Sequence, residues 1–318
     1  MQRTVKGKNR RLLSRREFNG LGVALSCLAI ASGASALDKP SSTVAGWTVK
    51  FPDGTAVPPV GQGSWHLGQG RHPAAEEQEA LRTGLSLGMT LIDTSGNYGE
   101  GRSEELIKGA IAGQRDRAFV VSKVEANQVT GNAMARACDG SLSRLGTDYL
   151  DLYLLHSPVP NTEFAGVVEG FESLRAAKKI RAWGVSNFTA RDMKDLFQTP
   201  QGDRCATNQV LYNLDDRAIE HDLLPLCEQY SIPVMAYSPL GGLGASLLRD
   251  PTLARIATAH GCSAAAVALA WTIRSGHVIA IPESGSVAHV KENAVALSLT
   301  LTQQDLQALD AAHPPGGR

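Results

Sequence analysis

Short apolar runs recur along most of this chain, each followed by a stretch with helical spacing, and this alternation limits the fold more than any other feature. The runs occupy residues 60–65, 90–93, 118–123, 149–156, 180–186, 206–209, 234–237 and 278–281. They are apolar throughout rather than at every second position, the pattern of parallel strands buried on both faces. Between them, residues 76–87, 103–111, 130–145, 167–177 and 189–197 carry apolar stripes at helical period, each long enough for a crossover helix. Eight such units predict an α/β fold, a closed (β/α)8 TIM barrel. Ahead of them, residues 48–51 and 55–57 flank the turn-forming Pro52-Asp53-Gly54, which predicts an N-terminal β-hairpin closing the barrel bottom. An open doubly wound sheet fits less well, because Gly61-Gln62-Gly63-Ser64-Trp65 lacks the third glycine of the dinucleotide fingerprint.

The 31 basic and 31 acidic side chains cancel, and the body of the chain has no basic block, which argues against nucleic acid or an anionic membrane as partner and for a small molecule. Residues 1–36 differ in kind. Arg3, Lys6, Lys8, Arg10 and Arg11 form a basic head, an apolar run follows from Leu21 to Ile30, and Ala34-Ser35-Ala36 offers a small-residue cleavage site. Ser14-Arg15-Arg16-Glu17-Phe18 resembles the twin-arginine export motif. The expectation is a 1–36 signal read by the twin-arginine machinery and a mature barrel of residues 37–318, monomeric and periplasmic, or cytoplasmic if the signal is not used. Too short and too rich in Ser and Gly, the apolar run does not suit a membrane span, and none is expected in the mature chain. Cys27 falls in the signal. Cys138, Cys205, Cys227 and Cys262 match no CxxC or zinc spacing, so neither a disulfide nor a metal site is expected.

In a barrel of this kind chemistry sits at the C-terminal ends of the strands, so the last polar residue of each run is informative. The second run ends at Asp93 with Tyr98 five residues on, the third at Lys123 and the fourth at His156. A phenol with a pKa of about 10 is a poor acid at neutral pH, but a neighbouring ammonium favours the phenolate, so Lys123 is expected to lower the value for Tyr98. Asp93 would keep Lys123 charged and in place, and His156 would donate a hydrogen bond to a substrate carbonyl oxygen. Each residue alone is as well explained by capping or packing; together the four make an acid-catalysis site. A metal-dependent barrel hydrolase would cluster histidines and carboxylates at the strand ends, where only His156 is so placed.

Asp93-Thr94-Ser95-Gly96-Asn97-Tyr98-Gly99, Val121-Ser122-Lys123 and Asp151-Leu152-Tyr153-Leu154-Leu155-His156 resemble segments of the aldo-keto reductases, and the likeness runs from Trp47 to near the C-terminus. The resemblance implies reduction of a carbonyl, or the reverse, by a nicotinamide cofactor, NAD(P)(H), with Asp93, Tyr98, Lys123 and His156 as the catalytic four and Tyr98 as proton donor. It places Ser186, Asn187 and Gln209 at the nicotinamide carboxamide, Tyr237 against the ring, and Ser238 and Leu240 at the pyrophosphate, with Gly63 and Ser64 also among the cofactor contacts. Ile281-Pro282-Glu283-Ser284 resembles the family's Ile-Pro-Lys-Ser, whose lysine meets the adenosine 2′-phosphate, but Glu283 reverses that charge. A carboxylate repels a 2′-phosphate and accepts from a free 2′-hydroxyl, which points towards NAD. His289 stands where many members have arginine, while Ser284, Ser286, Glu292 and Asn293 match. Short loops, and Ser157 where a tryptophan is frequent, imply an open pocket lined by Trp65 and His66 and suited to small aldehydes. The competing reading is a catalytically idle barrel that binds the nucleotide as a sensor or assembly subunit.

Overall fold

Gly54 takes a φ of 86°, and its N–H reaches Phe51 O at 2.9 Å, which folds the chain back on itself at the expected turn. Two short strands result, β1 (Val49–Lys50) and β2 (Ala56–Val57), paired antiparallel with Val49 opposite Val57. The structure, a computed structural model, describes residues 47–158, 164–242 and 246–315; the expected signal, its cleavage site and Cys27 lie outside the described residues.

Seven strands then form one parallel sheet in the order of the sequence. They are β3 (Leu91–Asp93), β4 (Phe119–Val124), β5 (Leu150–Leu155), β6 (Ile180–Ser186), β7 (Asn208–Leu211), β8 (Val234–Tyr237) and β9 (Val278–Ala280). The crossovers include α1 (Ala74–Ser86), α2 (Arg102–Ile111), α3 (Ala133–Leu145), α4 (Phe164–Ala176) and α5 (Ala190–Gln198), close to the expected spans. Their ends follow local chemistry: Thr189 and Asp192 make a reciprocal capping box at the start of α5, and Gly146, with φ 64°, ends α3. Further along come α6 (Leu223–Gln229), α7 (Pro251–His260), α8 (Ala264–Thr272), α9 (Val287–Ala294) and α10 (Gln303–Ala312).

The first apolar run departs from expectation. Residues 60–65 do not form a strand; they make isolated parallel bridges that switch sides, Val60 to Ala280, Gln62 to Ile92 and Gly63 to Glu283. Because the partner alternates between the β9 side and the β3 side, no continuous ladder builds on either. The hydrogen bonds nevertheless close the barrel: Gly61 N–H donates to Ala280 O, Gln62 N–H to Leu91 O and Gly63 N–H to Pro282 O, all within 2.9 Å. Glycine is required for that squeeze, since a Cβ on Gly63 would lie 2.9 Å from Ile281 O. The fold is thus the expected (β/α)8 barrel, with one stave held by bridges.

Leu91, Val121, Leu152, Leu154, Met235 and Ile279 fill the barrel interior, and Val49, Phe51 and Val57 of the hairpin join the same cluster. Phe51 stacks on Phe119, the first residue of β4, at 5.5 Å, so the hairpin plugs the end where the strands begin. Burying a side chain of this size contributes about 1.5–3 kcal/mol, which fastens the plug and leaves the other end, where the strands finish, open for a site. Among the described residues no single helix is long and apolar enough to cross a membrane, and no group of three or more His, Cys, Asp or Glu could hold a metal. The four cysteines are free thiols, and burial pushes those of Cys138, Cys205 and Cys227 up to about 12.

Candidate active site

Parallel strands in sequence order finish on one rim, so β3 and β4 bring Asp93 and Lys123 side by side, with His156 one residue past β5. Tyr98 opens the short turn Tyr98–Gly101 that follows β3, a turn whose Gly99 and Gly101 have φ of 56° and 92°. The Lys123 ammonium uses three donors at once: to Asp93 Oδ2 at 2.7 Å, to Thr94 O at 2.9 Å and to Tyr98 Oη at 3.0 Å. Burial pulls the Lys123 value down, but the Asp93 carboxylate and Tyr98 more than offset it, and the ammonium ends above its ordinary value and stays charged.

For Tyr98 the balance corrects the expectation from sequence. Burial is the largest influence and raises the phenol above its ordinary value; Lys123 pulls it down but does not prevail, and Asp93 adds to the rise. The phenol is therefore protonated at neutral pH. Since Lys123 donates to its oxygen, the phenol's own hydrogen is available to an acceptor in the pocket.

Glu125 is a member of the site that sequence reasoning missed. Its Oε1 lies 2.5 Å from His156 Nδ1, while Ser95 Oγ is at 3.5 Å and the Tyr98 ring meets the imidazole edge-on at 5.8 Å. Burial and Lys123 push the imidazole below its ordinary value, against the upward pull of Glu125, so the ring is neutral at neutral pH. The tautomer that satisfies Glu125 carries its proton on Nδ1 and leaves Nε2 an acceptor. Donation from Nε2 to a carbonyl oxygen then requires the charged imidazolium or a Glu125 turned aside. Two residues beyond Lys123 in a loop, Glu125 has no periodic signal that could have marked it.

Asp93, Tyr98 and His156 open into a cavity of about 1050 Å³, just above the roughly 300–1,000 Å³ typical of small-molecule and cofactor sites; Lys123 lies buried beneath. One wall carries Ser186, Asn187 and Gln209, tied together by Ser186 Oγ to Gln209 O at 2.8 Å and Asn187 Nδ2 to Ser186 Oγ at 3.1 Å. Gln209 Nε2 donates to Asp93 Oδ1 at 2.7 Å, which joins this wall to the ion pair. Tyr237 stands beside it, its hydroxyl donating to Asn187 Oδ1 at 3.0 Å, and Ser238 and Leu240 follow along the cavity. Asn187 and Ser238 have φ of 61° and 49°, positive values at two non-glycine residues that both line the cavity. These amides and the flat ring offer what a nicotinamide carboxamide and its ring require.

On the opposite side Gly63, Trp65 and His66 line the cavity, and Trp65 is 54% exposed at its edge. Ser64 also lines it, but its hydroxyl is turned into the barrel, donating to Asp93 O at 2.8 Å. The far end is formed by Glu283, His289, Glu292 and Asn293. Ser284 and Ser286 lie instead in a small side chamber of about 200 Å³, where Ser284 Oγ bonds Ser286 O and N–H within the turn before α9. Glu283 is already engaged: its carboxylate accepts the His66 N–H at 2.8 Å and pairs with His66 Nδ1 at 3.0 Å.

A strand-end cavity with a buried lysine reaching a protonated phenol defines a barrel oxidoreductase. The model of the aldo/keto reductase family matches residues 59–314, and the chain belongs to that family. It is 46% identical over 274 residues to the methylglyoxal reductase YeaE of Escherichia coli strain K12, covering 85% of this chain and 96% of that one. A crystal structure of an aldo/keto reductase from Klebsiella pneumoniae in complex with NADP and acetate superposes with a TM-score of 0.82 at 46% identity, over 85% of this chain and 96% of that one. A second structure of an aldo-keto reductase from that organism, with NADPH, gives the same TM-score, identity and coverage.

Proposed function

We propose that this chain reduces small aldehydes and ketones to alcohols, or runs the reverse, with NADPH or NADH as the partner and Tyr98 as the group that moves the proton. A bound reduced nicotinamide supplies the hydride. The observation that carries the reading is the chain of contacts from Asp93 through Lys123 to the Tyr98 oxygen at the floor of the cavity. Tyr98 holds its proton until negative charge develops on the carbonyl oxygen; Lys123, fixed by Asp93, then stabilises the phenolate left behind. His156 donates to the same oxygen from Nε2 when that nitrogen carries a proton, as the imidazolium paired with Glu125 or with Glu125 turned aside. Asn187 and Gln209 orient the carboxamide, and Tyr237 covers the ring face. The exposed Trp65 at the cavity and the likeness to the methylglyoxal reductase of Escherichia coli both favour a small aldehyde such as methylglyoxal.

The test is a fluorescence titration of the purified protein with NADPH and NADH, followed by methylglyoxal while absorbance of the reduced nicotinamide is read. Binding followed by loss of absorbance in step with aldehyde consumed is the expected result. Binding with no turnover on any small carbonyl would favour the sensor reading instead.

Residues 1–36 are proposed as a twin-arginine-type signal that delivers the folded barrel, as a monomer, to the periplasm. Cell fractionation should find the native chain cut near Leu37 in the periplasm and an Arg15→Lys, Arg16→Lys variant retained inside; equal distribution of the two would refute export by this route. Light scattering of the mature protein should give the mass of one chain.

A further inference from the structure

Arg71 and His72 line the side chamber together with Glu77, Glu283, Ser284 and His289. Arg71, Glu283 and His289 also line the large cavity, so the chamber adjoins it, beside the residue that stands in the place of the family's 2′-phosphate lysine. The family's Ile-Pro-Lys-Ser lysine is missing here, and Glu283 in its place is held by His66. A cation is nonetheless present from another part of the chain. Arg71 is exposed, and no hydrogen bond or ion pair is seen for it among the described residues.

The loop that carries Arg71 is fastened to the chamber. Glu77, fully buried, accepts the Gly68 N–H through Oε2 at 2.8 Å, and a Cβ on Gly285 would come within 2.8 Å of His72 Cδ2. The other Glu77 oxygen, Oε1, is buried with no hydrogen-bond partner among the described residues, and Glu77 lines the same chamber as Arg71 and His72. A planar guanidinium matches a phosphate with two parallel hydrogen bonds, and at the mouth of a recess that also holds Ser284 and His289 it offsets the nearby carboxylates.

Resting on the reading that the cavity holds a nicotinamide dinucleotide, we propose that Arg71 is the ligand of the adenosine 2′-phosphate in this chain, taking the role of the absent lysine, so that NADPH is bound in preference to NADH despite Glu283. Glu283 then serves to hold His66 and the start of the loop.

The test is the dissociation constant of NADPH and of NADH, read by fluorescence titration without substrate, for the wild-type protein and for Arg71→Ala. Loss of charged hydrogen bonds predicts that Arg71→Ala weakens NADPH on the order of tenfold to a hundredfold, with NADH changed less than about twofold. Arg71→Lys should keep part of the preference, as a point charge without the planar fork. An unchanged ratio of the two constants in Arg71→Ala, whether both stay the same or both weaken together, overturns the proposal and leaves the proposed function standing. Failure of the wild-type protein to bind either nucleotide overturns the proposed function itself, and this inference with it.

Discussion

Replacing Lys123 by Met tests the ion pair under the cavity. The Lys123 and Asp93 side chains are 1% and 4% exposed, and the ammonium makes all three of its hydrogen bonds there. Met keeps the length of the stem and removes the charge, which leaves the Asp93 carboxylate buried with Gln209 as its remaining side-chain donor. Removing one partner of a buried pair costs about 3–5 kcal/mol. At roughly 2–4 °C per kcal/mol for a domain of this size, the melting temperature should fall by about 6–20 °C. Calorimetry without nucleotide is the right assay, because a bound ligand would itself shift the transition. The double variant Asp93→Asn, Lys123→Met removes the stranded charge and should recover a substantial part of the loss. A single variant that melts within about 2 °C of the parent, or a double variant whose losses simply add, would refute the claim that these groups form one buried pair.

Two further predictions follow from the same geometry. Glu125→Gln removes an upward pull on His156, so the imidazole value falls further below its ordinary range, and the limb of the kcat/KM profile on which activity is lost as the imidazolium deprotonates moves to lower pH; a profile that does not move would show that Glu125 leaves His156 alone. In a protein cut back to residues 37–318 a thiol reagent near pH 8 should modify only the partly exposed Cys262 at an appreciable rate, because burial holds Cys138, Cys205 and Cys227 at about 12; rapid modification of several thiols would contradict that burial.

Sequence showed the strands from β3 to β9 well, because each is buried on both faces and reads as an unbroken apolar run. The run at 60–65 looked the same, yet it forms bridges, since which neighbour a residue pairs with depends on closure of the barrel. Helix α8 escaped notice because it is buried on every side and shows no polar stripe. Asp93, Lys123 and His156 were legible because strand ends bring them to one rim. The direction of the Tyr98 shift was not, since a pairwise argument sees Lys123 and not the surrounding burial. The contacts of Glu283 with His66, 217 positions apart, and the place of Arg71 in a turn-rich loop depend on the folded chain alone.

The most direct test of Tyr98 as the proton-moving group is reduction of methylglyoxal by a Tyr98→Phe variant, measured beside its affinity for NADPH. The substitution removes one hydroxyl, and Lys123 keeps Asp93 and Thr94 as partners, so folding and nucleotide affinity should stay near those of the parent. Turnover should fall on the order of a hundredfold to ten-thousandfold, the usual contribution of a positioned acid. Turnover equal to the parent's, with NADPH still bound, would contradict the assignment of the proton to Tyr98.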